Sequence, residues 1–194
     1  MTLISPGQTA QLVVGDPTAK ALSVVVDWQD DRFVHRIEVV VSGEHHELMR
    51  CQCSGPEDAA WPKTAPLQQL SQEVVDGRSV LLGVGQAGTS HWSISMEAAD
   101  DEDPTLRMDC ACRVSERPEF LGCRYEWDEA TECNTDAFAG ILFQCSGETM
   151  QFAPDDAQTR ATSSTDERWL ETRPGSLDVD LPSTVRWSYR ICLM

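Results

Sequence analysis

Positive charge is scarce in this 194-residue chain: 15 Lys and Arg stand against 32 Asp and Glu, for a net charge of −17. Phosphate backbones are held chiefly by cations that displace counterions, so non-specific nucleic-acid binding is excluded. Anionic membrane surfaces are excluded on the same ground. Long apolar runs are missing too. Nothing approaches the roughly 20 apolar residues that span a bilayer. The N-terminal Met1-Thr2-Leu3-Ile4-Ser5-Pro6-Gly7 has neither the basic start nor the apolar stretch of a signal peptide. The expectation is a cytoplasmic protein whose eight cysteines are mostly free thiols. Export by an unseen leader would instead suit an even number of cysteines to disulfides.

Catalytic and cofactor signatures are also thin. There is no GxSxG elbow, and Ser90-His91 are sequence neighbours that a strand aims apart. Gly83-Val84-Gly85-Gln86-Ala87-Gly88 matches GxGxxG, but that fingerprint works only where a helix opens at the glycines and its amides meet a pyrophosphate. Here Thr89 to Glu97 alternate as a strand, so the run reads as a glycine-rich connection between strands. The pairs Cys51/Cys53 and Cys110/Cys112 suggest zinc at first sight. Residues two apart in a strand are separated by about 6.5 Å, whereas zinc wants its sulfurs within about 4 Å. Both pairs therefore read as small apolar residues on a core face, and no metal or cofactor is assigned.

Glu44-His45-His46-Glu47 begins like a zinc-protease helix, but Arg50 occupies the second histidine's place and the context is a turn after Gly43. A solvated hairpin tip is expected there. The acidic run Asp100-Asp101-Glu102-Asp103 lacks the glycine and alternating spacing of a calcium loop and reads as a solvated turn.

What the chain does have is alternation. Residues 21–28 and 32–41 are β-branched runs joined at Gln29-Asp30-Asp31, a hairpin. In 105–114, Leu106, Met108, Cys110, Cys112 and Val114 oppose Arg107, Asp109, Ala111 and Arg113. In 184–191, Val185, Trp187, Tyr189 and Ile191 oppose Thr184, Arg186, Ser188 and Arg190. One-sided alternation is the mark of antiparallel sheets with one face on the core. Residues 90–97 and 105–114 pair naturally as a hairpin. Two segments break the period. Residues 66–76 start with Pro66, place Leu67, Leu70 and Val74 at helical spacing and stop at Gly77, which predicts a short helix. Residues 157–171 predict a second short helix or a loop.

A signature also recurs. Asp27-Trp28, Gln52-Cys53-Ser54-Gly55 and His91-Trp92-Ser93 are echoed in order by Glu126-Trp127, Gln144-Cys145-Ser146-Gly147 and Arg186-Trp187-Ser188. This predicts a duplicated unit, with copies near 20–97 and 116–194, inside one domain spanning 1–194. With 41% hydrophobic residues the chain can bury one sizeable core, which the copies would share. The fold expected is mainly β: an antiparallel β-barrel or two-sheet sandwich with pseudo-twofold duplication and one or two small helices.

The best candidate site lies around the Trp-Ser pairs, at Ser90, His91, Trp92, Arg186 and Trp187. Hydroxyls, an imidazole and an indole after a permissive loop suit a pocket with an apolar wall and a few oriented polar groups. The function expected is a non-catalytic binding domain, for a small ligand in a β cavity or a basic protein partner on an acidic face. The alternatives are a structural subunit that assembles as a homo-oligomer, and an enzyme built on His35 or His91 beside a carboxylate. Oligomeric state is not legible in the sequence.

Overall fold

Alternating apolar residues leave this chain little to do but pair strands, and the computed structural model is antiparallel β throughout. It describes residues 1–52, 60–99, 101–136 and 140–194. The strands are β1 (Thr2–Ile4), β2 (Ala10–Asp16), β3 (Lys20–Gln29), β4 (Arg32–Val41), β5 (Glu44–Cys51), β6 (Leu67–Val75), β7 (Arg78–Ala87) and β8 (Ser90–Ala98). They continue as β9 (Thr105–Val114), β10 (Cys123–Glu126), β11 (Glu132–Asp136), β12 (Gly140–Cys145), β13 (Glu148–Pro154), β14 (Thr159–Ser164), β15 (Trp169–Pro174) and β16 (Ser183–Leu193). All belong to one sheet, ordered β11-β12-β13-β16-β9-β8-β7-β6-β4-β5-β10-β15-β14, with β1 on β6 and β2 on β3. The sheet curls into a half-barrel rather than splitting into the two layers of a sandwich. Among the described residues no helix is long and apolar enough to cross a membrane.

Local turn chemistry sets much of this order. Ser42-Gly43, Asp76-Gly77 and Ser146-Gly147 each join two strands with both residues at positive φ, between 51° and 83°. That is the type I′ hairpin turn, whose twist matches the strands it connects. Long-range pairing does the rest. The C-terminal strand β16 inserts between β9 and β13, with Trp187 opposite Cys110 and Phe152 opposite Ile191. A single core cluster fills the inside of the curl, with Trp187, Tyr125, Tyr189, Phe33, Phe143 and Phe152 its largest fully buried members.

Neither expected helix forms. Residues 67–75 are strand β6, and 157–171 contain β14 and the start of β15. The helical spacing of Leu67 and Leu70 has another cause. The register slips between Leu67 and Gln69, so an extra residue lets both leucines, three apart, face the core. Val74 and Val75 sit exposed beside the hairpin tip, and Gly77, read as a helix stop, is half of its turn.

The pseudo-twofold duplication is not borne out either. The two Trp-Ser strands, β8 and β16, flank β9 and are both antiparallel to it, so they run parallel to each other. They bury their tryptophans on the same face. A twofold axis through β9 would reverse either the direction or the face. The echoed Ser-Gly at 146–147 is hairpin turn chemistry; residues 53–55 of the first copy lie outside the described residues.

Candidate functional site

The strands β7, β8, β9 and β16 place their residues in rows. On the core side run Gly85, Trp92, Cys112 and Val185, then Gly83, Ile94, Cys110 and Trp187. On the open side run Gln86, His91, Arg113 and Thr184; then Val84, Ser93, Ala111 and Arg186; then Leu82, Ser95, Asp109 and Ser188. The five expected site residues are brought into this one region but divide between its faces. Ser90, Trp92 and Trp187 are buried in the core, where the two indoles meet edge to face at 6.0 Å and 88°. His91 and Arg186 stand on the open face.

That open face is a trough. Two adjoining hollows of 480 and 500 Å³ share Val84, Ser93, Ala111 and Arg186. The floor is low because Ser93 and Ala111 are small, and the walls are the longer side chains of neighbouring rows. His91, Arg113 and Arg186 line the first hollow. None of the three has a carboxylate partner among the described residues. Most arginines elsewhere do: Arg36 bonds Asp27 and Glu38, Arg50 bonds Glu47, and Arg124 bonds Glu171 at 2.6 Å. The second hollow carries Asp109, Asp155 and Asp156 beside Arg107 and Arg186. Arg107 and Arg190 both reach Asp155, at 2.9 and 3.6 Å. Burial pushes the Asp109 carboxyl above its usual range, and the neighbouring Asp155 and Asp156 add to that. The turn that carries Asp155 and Asp156 is tied onto β16: the Asp155 amide donates to the Ser188 carbonyl, and the Ser188 hydroxyl donates to Asp156.

One edge of the trough depends on a backbone irregularity. At the β6 bulge the Gln68 side chain replaces a ladder rung: it accepts from the Gln86 amide at 2.7 Å and donates to the Gln86 carbonyl at 3.1 Å. The partner residue must be Gly85, because a Cβ there would lie 1.7 Å from the Pro66 carbonyl oxygen. The GxGxxG run is thus strand β7 and the turn that follows it, with no helix at its glycines. The helix N-terminus that meets a pyrophosphate in that fingerprint is not formed here.

A second polar cluster is sealed inside. His35 Nε2 hydrogen-bonds the Tyr125 hydroxyl at 2.7 Å, and that hydroxyl meets the Tyr189 hydroxyl at 2.5 Å. Burial pushes the His35 ring down to about 4 and both phenols well above their usual range, so all three are neutral at physiological pH. Next to them the Cys110 and Cys123 sulfurs lie 3.9 Å apart. His35 has no carboxylate beside it, and neither has His91, so the His-carboxylate arrangement sought at these two positions is not formed among the described residues. His45 does meet Glu38 at 2.7 Å, at the solvated start of β5, where Arg36 holds the other Glu38 oxygen.

Among the described residues no group of three or more His, Cys, Asp or Glu is placed to hold a metal ion. Cys110 and Cys112 both face the core, as alternation required, and burial pushes the Cys112 thiol up to about 12. Cys53 and Asp100 lie outside the described residues. No known family model, curated protein or solved structure matches this chain.

Arg113 is the site residue that sequence reasoning missed. Its alternation had already placed it opposite the core face of 105–114. Nothing local indicated that β16 would return to lie against β9 and bring Arg186 to the same hollow.

Proposed function

We propose that this chain is a non-catalytic binding domain, and that its trough takes a small molecule bearing a carboxylate or phosphate group. The single observation that carries this reading is that Arg113, Arg186 and His91 converge on one hollow without a carboxylate partner among the described residues. In a chain with 32 acids and 15 bases, partners are abundant. Guanidinium groups left open over a floor of Ser93 and Ala111 offer paired N–H donors at carboxylate or phosphate spacing. The hollow's 480 Å³ falls within the range of small-molecule sites. The overall charge of −17 does not forbid an anion there. At physiological ionic strength fields decay over about 8 Å, so the nearest residues dominate. In the adjoining hollow Asp109, Asp155 and Asp156 outnumber Arg107, which favours a neutral or cationic far end of the ligand. The core inside the curl is filled by side chains, which favours this open trough over an enclosed β cavity.

The test is thermal unfolding at constant ionic strength with inorganic phosphate, then with succinate. A saturable rise in midpoint is expected with at least one anion, and its absence in Arg113→Gln/Arg186→Gln. No saturable rise with either anion, or an equal rise in the double variant, overturns the reading. Native against denaturing mass of protein purified without chelators adds a second view. Organic mass that is lost on denaturation supports a bound small molecule.

A further inference from the structure

We propose that Cys110 and Cys123 form an oxidant-responsive dithiol, which a hydroperoxide converts to a disulfide that staples β9 to β10 across the core. The two residues are 13 apart in sequence and sit on strands that are not neighbours in the sheet. The curl alone brings them together, with sulfurs 3.9 Å apart. A disulfide requires about 2.05 Å, so the sulfurs must close by about 2 Å.

The surroundings differentiate the two thiols. A hydrogen bond from the Cys110 thiol draws the Cys123 thiol below its ordinary range against the opposing effect of burial. The Tyr189 hydroxyl, the Ala65 amide and the Trp187 indole act in the same direction. The Trp187 N–H has no other hydrogen-bond partner among the described residues, so its dipole is free to favour a thiolate nearby. Burial pushes the Cys110 thiol up. Cys123 is therefore the nucleophile and Cys110 the residue that resolves. Both thiols face the core, Cys110 3% and Cys123 0% exposed, so the oxidant must be as small as hydrogen peroxide.

The chemistry balances in two steps. The Cys123 thiolate attacks one peroxide oxygen, the O–O bond breaks, and sulfenic acid and hydroxide form. The Cys110 thiolate, its proton passed to hydroxide, then attacks the Cys123 sulfur; the S–S bond forms and the sulfenic oxygen leaves as hydroxide, which takes up a proton to become water. Two thiols are oxidised, one peroxide is reduced, and two waters leave. The proposal is independent of any ligand in the trough.

The test treats folded wild-type protein with hydrogen peroxide and alkylates the remaining thiols in denaturant. Trypsin then releases residues 108–113 and 114–124, the latter intact because Pro118 blocks cleavage at Arg117. The expected product is these two peptides joined, with a loss of about 2 Da and fragment ions that place the bond at Cys110 rather than Cys112. The unfolding midpoint should rise by about 6–12 °C, from closing so short a loop in the unfolded chain, and fall back with dithiothreitol. Cys110→Ala and Cys123→Ala should each abolish both the link and the rise. The proposal is overturned if both cysteines remain alkylated, if Cys123 goes to sulfinic acid unlinked, or if the bond joins Cys112. It is equally overturned if the link forms only after the protein is unfolded.

Discussion

Mild acid should destabilise this protein through His35 before most of its carboxylates begin to titrate. The residue is 2% exposed, its Nε2 is engaged by Tyr125, and its Nδ1 has no partner among the described residues. Protonation would place a full charge and a second N–H where no acceptor stands, which is why burial lowers the ring from 6.5 to about 4. For a base with a depressed folded pKa, the unfolded chain takes up the proton first. Stability is therefore untouched above about pH 6.5, falls as pH drops from there toward about 4, and levels off below. Taking 6.5 and about 4 as the two values, the loss is about 2 kcal/mol at pH 5 and about 3 kcal/mol when complete. The assay is urea unfolding followed by tryptophan fluorescence, on wild type and His35→Gln, at about pH 7.5 and about pH 5. Glutamine can hydrogen-bond Tyr125 but cannot titrate. Wild type should lose about 2 kcal/mol more than the variant between those conditions. A parallel decline of the two proteins, or a folded-state His35 that titrates near 6.5 by NMR, would refute the reasoning.

Two further outcomes test the local structure around the trough. Leu70→Ala should cost about 2–5 kcal/mol, because Leu70 is 1% exposed, whereas Val74→Ala, at 71% exposed, should stay within about 0.5 kcal/mol in chemical denaturation. A helix with both residues on its buried stripe would make the two costs comparable. Gly85→Ala should destabilise by about 3 kcal/mol or more, since its methyl group would overlap the Pro66 carbonyl and force the β6 bulge apart; unchanged unfolding would show that the close approach is absent.

Much of the β architecture was legible because alternation is a local property. The opposed sets in 105–114 and 184–191 face as their sequence required, with Cys110, Cys112 and Trp187 inward and Arg113 and Arg186 outward. The hairpin of β8 and β9 was equally legible. The helix expected at 66–76 failed for a reason no window of sequence contains: a bulge phases Leu67 and Leu70 to one face, and β7 makes room for it with Gly85 opposite Leu67, against the Pro66 carbonyl. The repeated Trp-Ser pairs pointed to the right strands but not to their relation. Alternation also shows why the candidate site was mixed: adjacent residues such as His91 and Trp92 must take opposite faces, so one motif could not line one pocket.

By itself, the sequence determined the strand class and the inward face of each clear strand, since these depend on the period of its apolar residues. It also determined the hairpin turn at 30–31, where Asp30 takes a positive φ between β3 and β4. Tertiary structure alone decided which strands that are distant in sequence lie side by side. Pairing of β16 with β9 joins Arg186 to Arg113 across 73 residues, and the curl of the sheet brings Cys123 to Cys110 and Tyr125 to His35. Strand pairing is bonded through backbone groups that every residue shares, so its partners are selected by how the whole core closes rather than by any local signal.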